Sequence, residues 1–153
     1  MNLETKRNAI MNAIASGKLT NLIPDNLTWS NGYYNSGGGV TPDTSSTLCM
    51  NESEYIDIDT TQNYRLVIIT EDTQNQWAGI CEYSSTGTFI KRETPISNDV
   101  HSIRFSYTYK IRNPKIRVSL RTYGEVKVGL FYEEEILELL KDNGDYLTVI
   151  GEI

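Results

Sequence analysis

From Ile103 to Ile111 apolar and polar positions alternate: Ile103, Phe105, Tyr107, Tyr109 and Ile111 are separated by Arg104, Ser106, Thr108 and Lys110. A period of two puts each set on its own face of a strand, so the spacing predicts one buried face and one wet face. The same period resumes after the break at Asn113-Pro114, with Ile116, Val118 and Leu120 opposite Arg117, Ser119 and Arg121, and recurs in Val126, Val128 and Leu130. Upstream, the runs YIDID, NYRLVIIT and QWAGICEY lead into Ser84-Ser85-Thr86-Gly87 and then TFIKRE. Gly87 supplies the positive φ that a hairpin with a type I turn and G1 bulge requires. The Gly-, Asn- and Ser-rich stretch from Asn21 to Ser46 predicts a strand near Trp29 to Tyr34 with loops on both sides. Roughly seven to nine strands with turns about every 8 to 12 residues predict an all-β fold, an antiparallel jelly-roll-like β-sandwich.

The period changes at both ends. Leu3, Arg7, Ile10, Met11 and Ile14 fall three and four apart, which predicts a short N-terminal helix over residues 2–16, stopped by Gly17. So short a helix is marginal alone. Its stripe of Leu3, Ile10, Met11 and Ile14 must rest either on the sandwich or on another chain, as a docking or homo-oligomer surface. Near the other end, EEEILELLKDNG has acids at its start, Ile136, Leu137 and Leu140 on one face, and a stop at Asn143-Gly144. It predicts a short helix, and DYLTVIGEI after it predicts a terminal strand whose open edge would attract a partner. The chain thus divides into an attachment helix at 1–20, a sandwich at 21–132 and a C-terminal helix and strand extension at 133–153.

Ten tyrosines against three phenylalanines signal rings that are half buried with a hydroxyl still in water. With no 18-residue apolar run and no signal-like apolar core at the amino terminus, the sequence predicts no membrane segment and synthesis in a cytoplasm. In that setting Cys49 and Cys81 are expected as reduced core thiols. No constellation of nucleophile, base and acid is visible, so the chain reads as a binding or structural protein and not an enzyme, with no cofactor. His101 and two cysteines fall short of a four-ligand zinc site, and Asp57 and Asp59 read as a solvated pair, so no metal is expected. The Gly37-Gly38-Gly39 tip has no following lysine and is not a phosphate-binding loop.

The net charge of −6, from 14 basic and 20 acidic residues, is unevenly spread. Between His101 and Leu130 lie Arg104, Lys110, Arg112, Lys115, Arg117, Arg121 and Lys127 against the single acid Glu125. Arg104, Lys110, Arg117 and Arg121 are the expected basic contact face. Three readings stay open for such a stripe: the solvent face of amphipathic strands, a contact to an acidic neighbouring subunit, or a phosphate-bearing polymer. The overall acidity argues against a dedicated nucleic-acid binder.

The order NLIPDNLTWSNGYY, YIDID, NYRLVI and ICEYSSTGTFIKRE resembles the β-sandwich modules of bacteriophage tail, baseplate and fibre proteins, over roughly residues 21–132. Tyr83, Gly87, Phe89 and Ile90 match the hairpin of those modules, with Ser84 where aspartate is usual. The resemblance implies a virion structural protein with a carbohydrate-binding-module-like fold. Its implied partners are other virion proteins and a host cell-surface polysaccharide. The rings expected to stack on sugars are Trp29, Tyr33, Tyr34 and Trp77, each with core packing as its alternative role. A purely architectural decoration, head-fibre or connector subunit with no glycan contact remains the alternative. For the fold itself, circular dichroism should be dominated by strand; a helix content above about a third, the usual globular share, would contradict a sandwich.

Overall fold

The computed structural model describes residues 3–42, 46–70, 76–99, 103–106, 109–121 and 126–142. It is an all-β, jelly-roll-like sandwich with a short helix near each end. Two helices, α1 (Leu3–Ser16) and α2 (Glu133–Asp142), flank eleven strands. These are β1 (Trp29–Asn31), β2 (Tyr33–Tyr34), β3 (Val40–Thr41), β4 (Thr47–Met50), β5 (Ile56–Asp57), β6 (Tyr64–Thr70), β7 (Gln76–Tyr83), β8 (Phe89–Asp99), β9 (Ile103–Phe105), β10 (Lys115–Arg121) and β11 (Val126–Tyr132). The larger sheet has the order β1-β4-β10-β7-β8, with β5 also on β10, and the smaller one β11-β6-β9. Strands β2 and β3 form a separate hairpin. Every ladder among the described residues is antiparallel. From β9 onward successive strands alternate between the sheets, as in a jelly roll.

Alternation along each strand sorts side chains between layers. Met50, Ala78, Ile80, Ile96, Ile116, Val118 and Leu120 of the larger sheet meet Tyr64, Leu66, Ile68 and Leu130 of the smaller one in the main core. The intervening residues of β6 and β11, Val67, Ile69 and Phe131, form a second cluster with Ile10 and Ala13 of α1, Leu19, and Ile136 of α2. Strand β6 therefore lies between two apolar layers, and all seven of its residues are buried. That is why YRLVIIT reads as a continuous apolar run and not an alternating one. Its single charge, Arg65, is met by Glu133 at the start of α2, with Nη2 and Oε1 2.7 Å apart, and its Nη1 donates to the Ser106 carbonyl. The free edge of β11 is covered by Asn21 and Leu22: the Leu22 N–H donates to the Leu130 carbonyl, and the Leu130 N–H to Asn21 Oδ1.

Several expectations change here. The single strand expected over Trp29–Tyr34 is two, because Gly32 at φ 140° turns the chain out of the sheet. A Cβ there would lie 2.9 Å from the Thr41 carbonyl oxygen, so only glycine fits. The docking stripe is largely internal: Ile10 is completely buried within this chain and Met11 packs beside it, while Ile14 stays 37% exposed. Ile10 is thus a core residue and not an oligomer contact. Leu3 begins α1, and its side chain lies outside the described residues, as do Leu140, Tyr107 and the expected terminal strand after Asp142. Replacing Ile10 with alanine should cost about 2–5 kcal/mol of unfolding free energy, and Ile14 with alanine clearly less. Equal, small losses in a denaturant titration would contradict α1 as part of the core.

Candidate functional site

On its outer side the larger sheet presents Cys49 from β4, Trp77, Gly79, Cys81 and Tyr83 from β7, and Arg117, Ser119 and Arg121 from β10, the residues that alternate with the core set. Part of this face is roofed by the β2–β3 hairpin. The Tyr34 N–H donates to Ser119 Oγ at 3.3 Å and its hydroxyl to the Met50 carbonyl at 2.5 Å. Tyr34, Cys49, Cys81 and Tyr83 then form a closed apolar patch with Val40, Tyr55 and Phe89 at its margin. Arg117 runs through it. Its guanidinium carbon lies 3.9 Å from the Tyr55 ring centre and 4.7 Å from that of Tyr83, and its donors reach the carbonyls of Glu52 and Glu54. Such a buried cation is tolerable because flat aromatic faces and carbonyl oxygens replace its water.

The basic contact face does not hold together. Arg104 is fully buried, opposite Ile68 in the register of the smaller sheet, and Arg117 is 7% exposed. Lys110 is exposed and Arg121 partly so, on separate segments. Two different burials removed the stripe: Arg104 shares the face of Ile68, turned toward the larger sheet, whereas Arg117 lies on the outer side of the larger sheet, under the hairpin and the segment before β5. Tyr34 leaves the ring set as well, since the hairpin turns it inward onto Cys49, Cys81 and Tyr83 and it has no exposed surface. Trp29 stands on the other side of the sheet, opposite Met50, where it packs at the margin of the main core. It lines a groove of about 350 Å³ with Ile14, Ile23, Pro24 and Val128.

Tyr33 and Trp77 do come together, edge to face, with ring centres 5.9 Å apart and planes at 87°. Arg92, which no motif in the sequence marks, joins them: its guanidinium carbon lies 5.4 Å from the Trp77 ring centre. It reaches that ring across Gly79, where a Cβ would stand 3.2 Å from Arg92 Nε. The cause is a bulge. Tyr83 pairs with Phe89 and Glu82 with Lys91, so Ile90 is an extra residue, and the shift puts Arg92 opposite Cys81. On the other flank, Leu120 pairs with Ala78 and Arg121 with Thr47, so the end of the ladder sets Arg121 beside Trp77. Arg92 Nε, Arg121 Nε and Thr47 Oγ1 have no hydrogen-bond partner among the described residues.

The carboxylates are engaged elsewhere. Glu82, without exposed surface, accepts from the Tyr109 hydroxyl, the Arg112 N–H at 3.1 Å and Asn113 Nδ2 at 3.0 Å, with Lys91 Nζ 3.6 Å away. Asp57 pairs with Lys115 at 2.9 Å, and Asp59 accepts from the backbone and hydroxyl of Thr61, which hold its carboxyl below the usual range. A cleft of about 620 Å³ on α2 is lined by Lys18, Gln62, Tyr132, Glu134, Glu135, Glu138 and Leu139. Burial, then the neighbouring Glu134, raises the Glu135 carboxyl there. Among the described residues no group of three or more histidine, cysteine, aspartate or glutamate side chains is placed to hold a metal ion, and no helix is long and apolar enough to cross a membrane.

No family model matches the chain, and no curated protein matches it. Among solved structures it is similar to the crystal structure of the infectious bursal disease virus VP2 subviral particle, at 14% sequence identity and a TM-score of 0.36, over 73% of this chain and 30% of that one. The chain spans less than a third of that protein's length, and a likeness this distant carries no argument about function.

Cys49 and Cys81 are both buried and unpaired. Burial pushes the Cys81 thiol from 9.0 up to about 11, against the opposing pull of Arg92 and Arg117, and burial with Glu52 raises Cys49. A proton held more tightly in the folded state stabilises it fully below pH 9.0, and that contribution disappears as pH rises toward 11. Unfolding free energy should therefore decline across that window, and decline less in Cys81→Ala. Neither thiol should react with a disulfide reagent at about pH 8 until the protein unfolds; fast labelling of the native chain would contradict the closed patch.

Proposed function

We propose that this chain is a virion structural protein, a tail, baseplate or fibre component of a bacteriophage, that contributes to attachment at host-surface glycans. The observation that carries the glycan part is the meeting of Tyr33 and Trp77 beside Arg92, at the rim of the hairpin roof on the larger sheet. Partly buried rings fixed by neighbours offer flat apolar area at low entropic cost, which suits the C–H faces of sugars. The module resemblance over residues 21–132 supports the virion part. Glu82 supports a binding role in preference to catalysis: a carboxylate with four donors around it and no exposed surface is not offered to a substrate.

The architectural alternative draws on a different surface. Ile14 and the Trp29 groove leave apolar area open beside α1, which suits contact with a second copy or another virion protein. In this reading the chain is a docked or homo-oligomeric subunit without nucleic-acid or membrane partners.

A glycan array probed with the full chain and with Trp77→Ala and Trp29→Ala separates the two readings. Binding that is lost in Trp77→Ala and kept in Trp29→Ala is the expected result. An array with no bound glycan, together with a chain that is oligomeric by light scattering and becomes monomeric in Trp29→Ala, would replace host attachment with the architectural role.

A further inference from the structure

We infer that the ligand of the Tyr33–Trp77 face is an anionic polysaccharide, held by Arg92 and Arg121 on either side of the indole; this rests on the glycan reading above. The face is not a neutral sugar platform. Arg92 lies over the Trp77 ring, and Arg121 follows Leu120, the partner of Ala78, at the register position next to Trp77 on the same face. Neither guanidinium has a carboxylate partner among the described residues, whereas Lys115 has Asp57 and Arg65 has Glu133. Both Nε groups are buried and without a hydrogen-bond partner among the described residues, and so is Thr47 Oγ1, directly opposite Arg121 on β4. Thr47 itself is 1% exposed.

Unmatched donors in and around a buried position are costly unless something accepts from them. A carboxylate or phosphate oxygen suits a guanidinium fork better than a sugar hydroxyl does. The arrangement is a row across the strands: Thr47, Arg121 and Trp77, with Arg92 one strand further. Apolar contact comes from the exposed parts of Tyr33 and Trp77, charge from the two arginines. Nucleic acid is the less suitable polyanion, because it is held by many cations tracking a backbone, and here two free guanidiniums stand on a chain of net charge −6.

The test titrates the full chain with polygalacturonate, poly(glycerol phosphate), neutral dextran and single-stranded DNA. Calorimetry gives affinity, and Trp77 fluorescence in a Trp29→Phe background reports the site. We expect a carboxylate or phosphate polysaccharide to bind and dextran not to; which of the two binds better identifies the anion. That binding should weaken about tenfold in Arg92→Gln and in Arg121→Gln, at unchanged unfolding midpoints, and be partly recovered in Arg121→Lys. Added salt should weaken it in the wild-type chain, a readout that needs no variant. Dextran bound as tightly as the anionic polymers, with both arginine variants unaffected, would overturn the anionic inference and leave the glycan reading intact. Preference for DNA would overturn it in favour of nucleic acid. Silence toward all four polymers also overturns it, and the glycan reading falls with it only if the array is blank as well.

Discussion

Burying a guanidinium costs several kcal/mol unless its donors and its charge are met, and the outer side of the larger sheet is arranged to meet those of Arg117. Three tyrosine rings and two carbonyls surround it. Each of those groups comes from a different place: Tyr34 from the hairpin, Tyr55, Glu52 and Glu54 from the segment before β5, and Tyr83 from the end of β7. Because β10 is paired on both sides, the cation is fixed on an interior strand of the sheet. The loops that satisfy it are thereby fixed too. Ser119, two residues along the same face, anchors Tyr34, and Arg121, two further, reaches the edge of the covered region.

The candidate face exists where that cover ends. The β2–β3 hairpin closes over Cys49, Cys81 and Tyr83 but leaves Tyr33 at its rim, against Trp77. Two local irregularities make the arrangement. Gly32 turns the chain out of the sheet, so that Trp29 stays on the core side while Tyr33 crosses to the other. The bulge at Ile90 shifts one strand by a residue, so that a guanidinium stands over the indole. A regular hairpin and an unbroken strand would have put the same residues on different surfaces.

The terminal helices have a plainer role. Together they cover the outer face of the smaller sheet, and the Arg65–Glu133 pair ties the start of α2 to the middle layer. Each sheet thus has its outer side covered at least in part, one by helices and the other by a hairpin. Among the described residues, apolar area stays accessible at Ile14, in the Trp29 groove and at Ile90, which is 47% exposed, besides the partly exposed Tyr33 and Trp77.

Strands β6, β7, β10 and β11, the start of β8, the hairpin turn at Gly87 and both helices follow from the sequence alone, because periods of two and of three to four, with glycine at the stops, act over a few residues; the split at Gly32 and the short strands β3 and β4 do not. Trp77 inside its strand and Tyr33 beside a Gly-rich loop are visible in the same way as candidate rings. Whether an alternating polar position meets water is not local. Arg104, Arg117 and Tyr34 are buried because segments far away in the chain fold over them, and no window around those residues contains that information. Arg92 was hidden for a related reason: strand register is set by where a bulge falls, and one extra residue at Ile90 decides which side chain shares a face with Trp77.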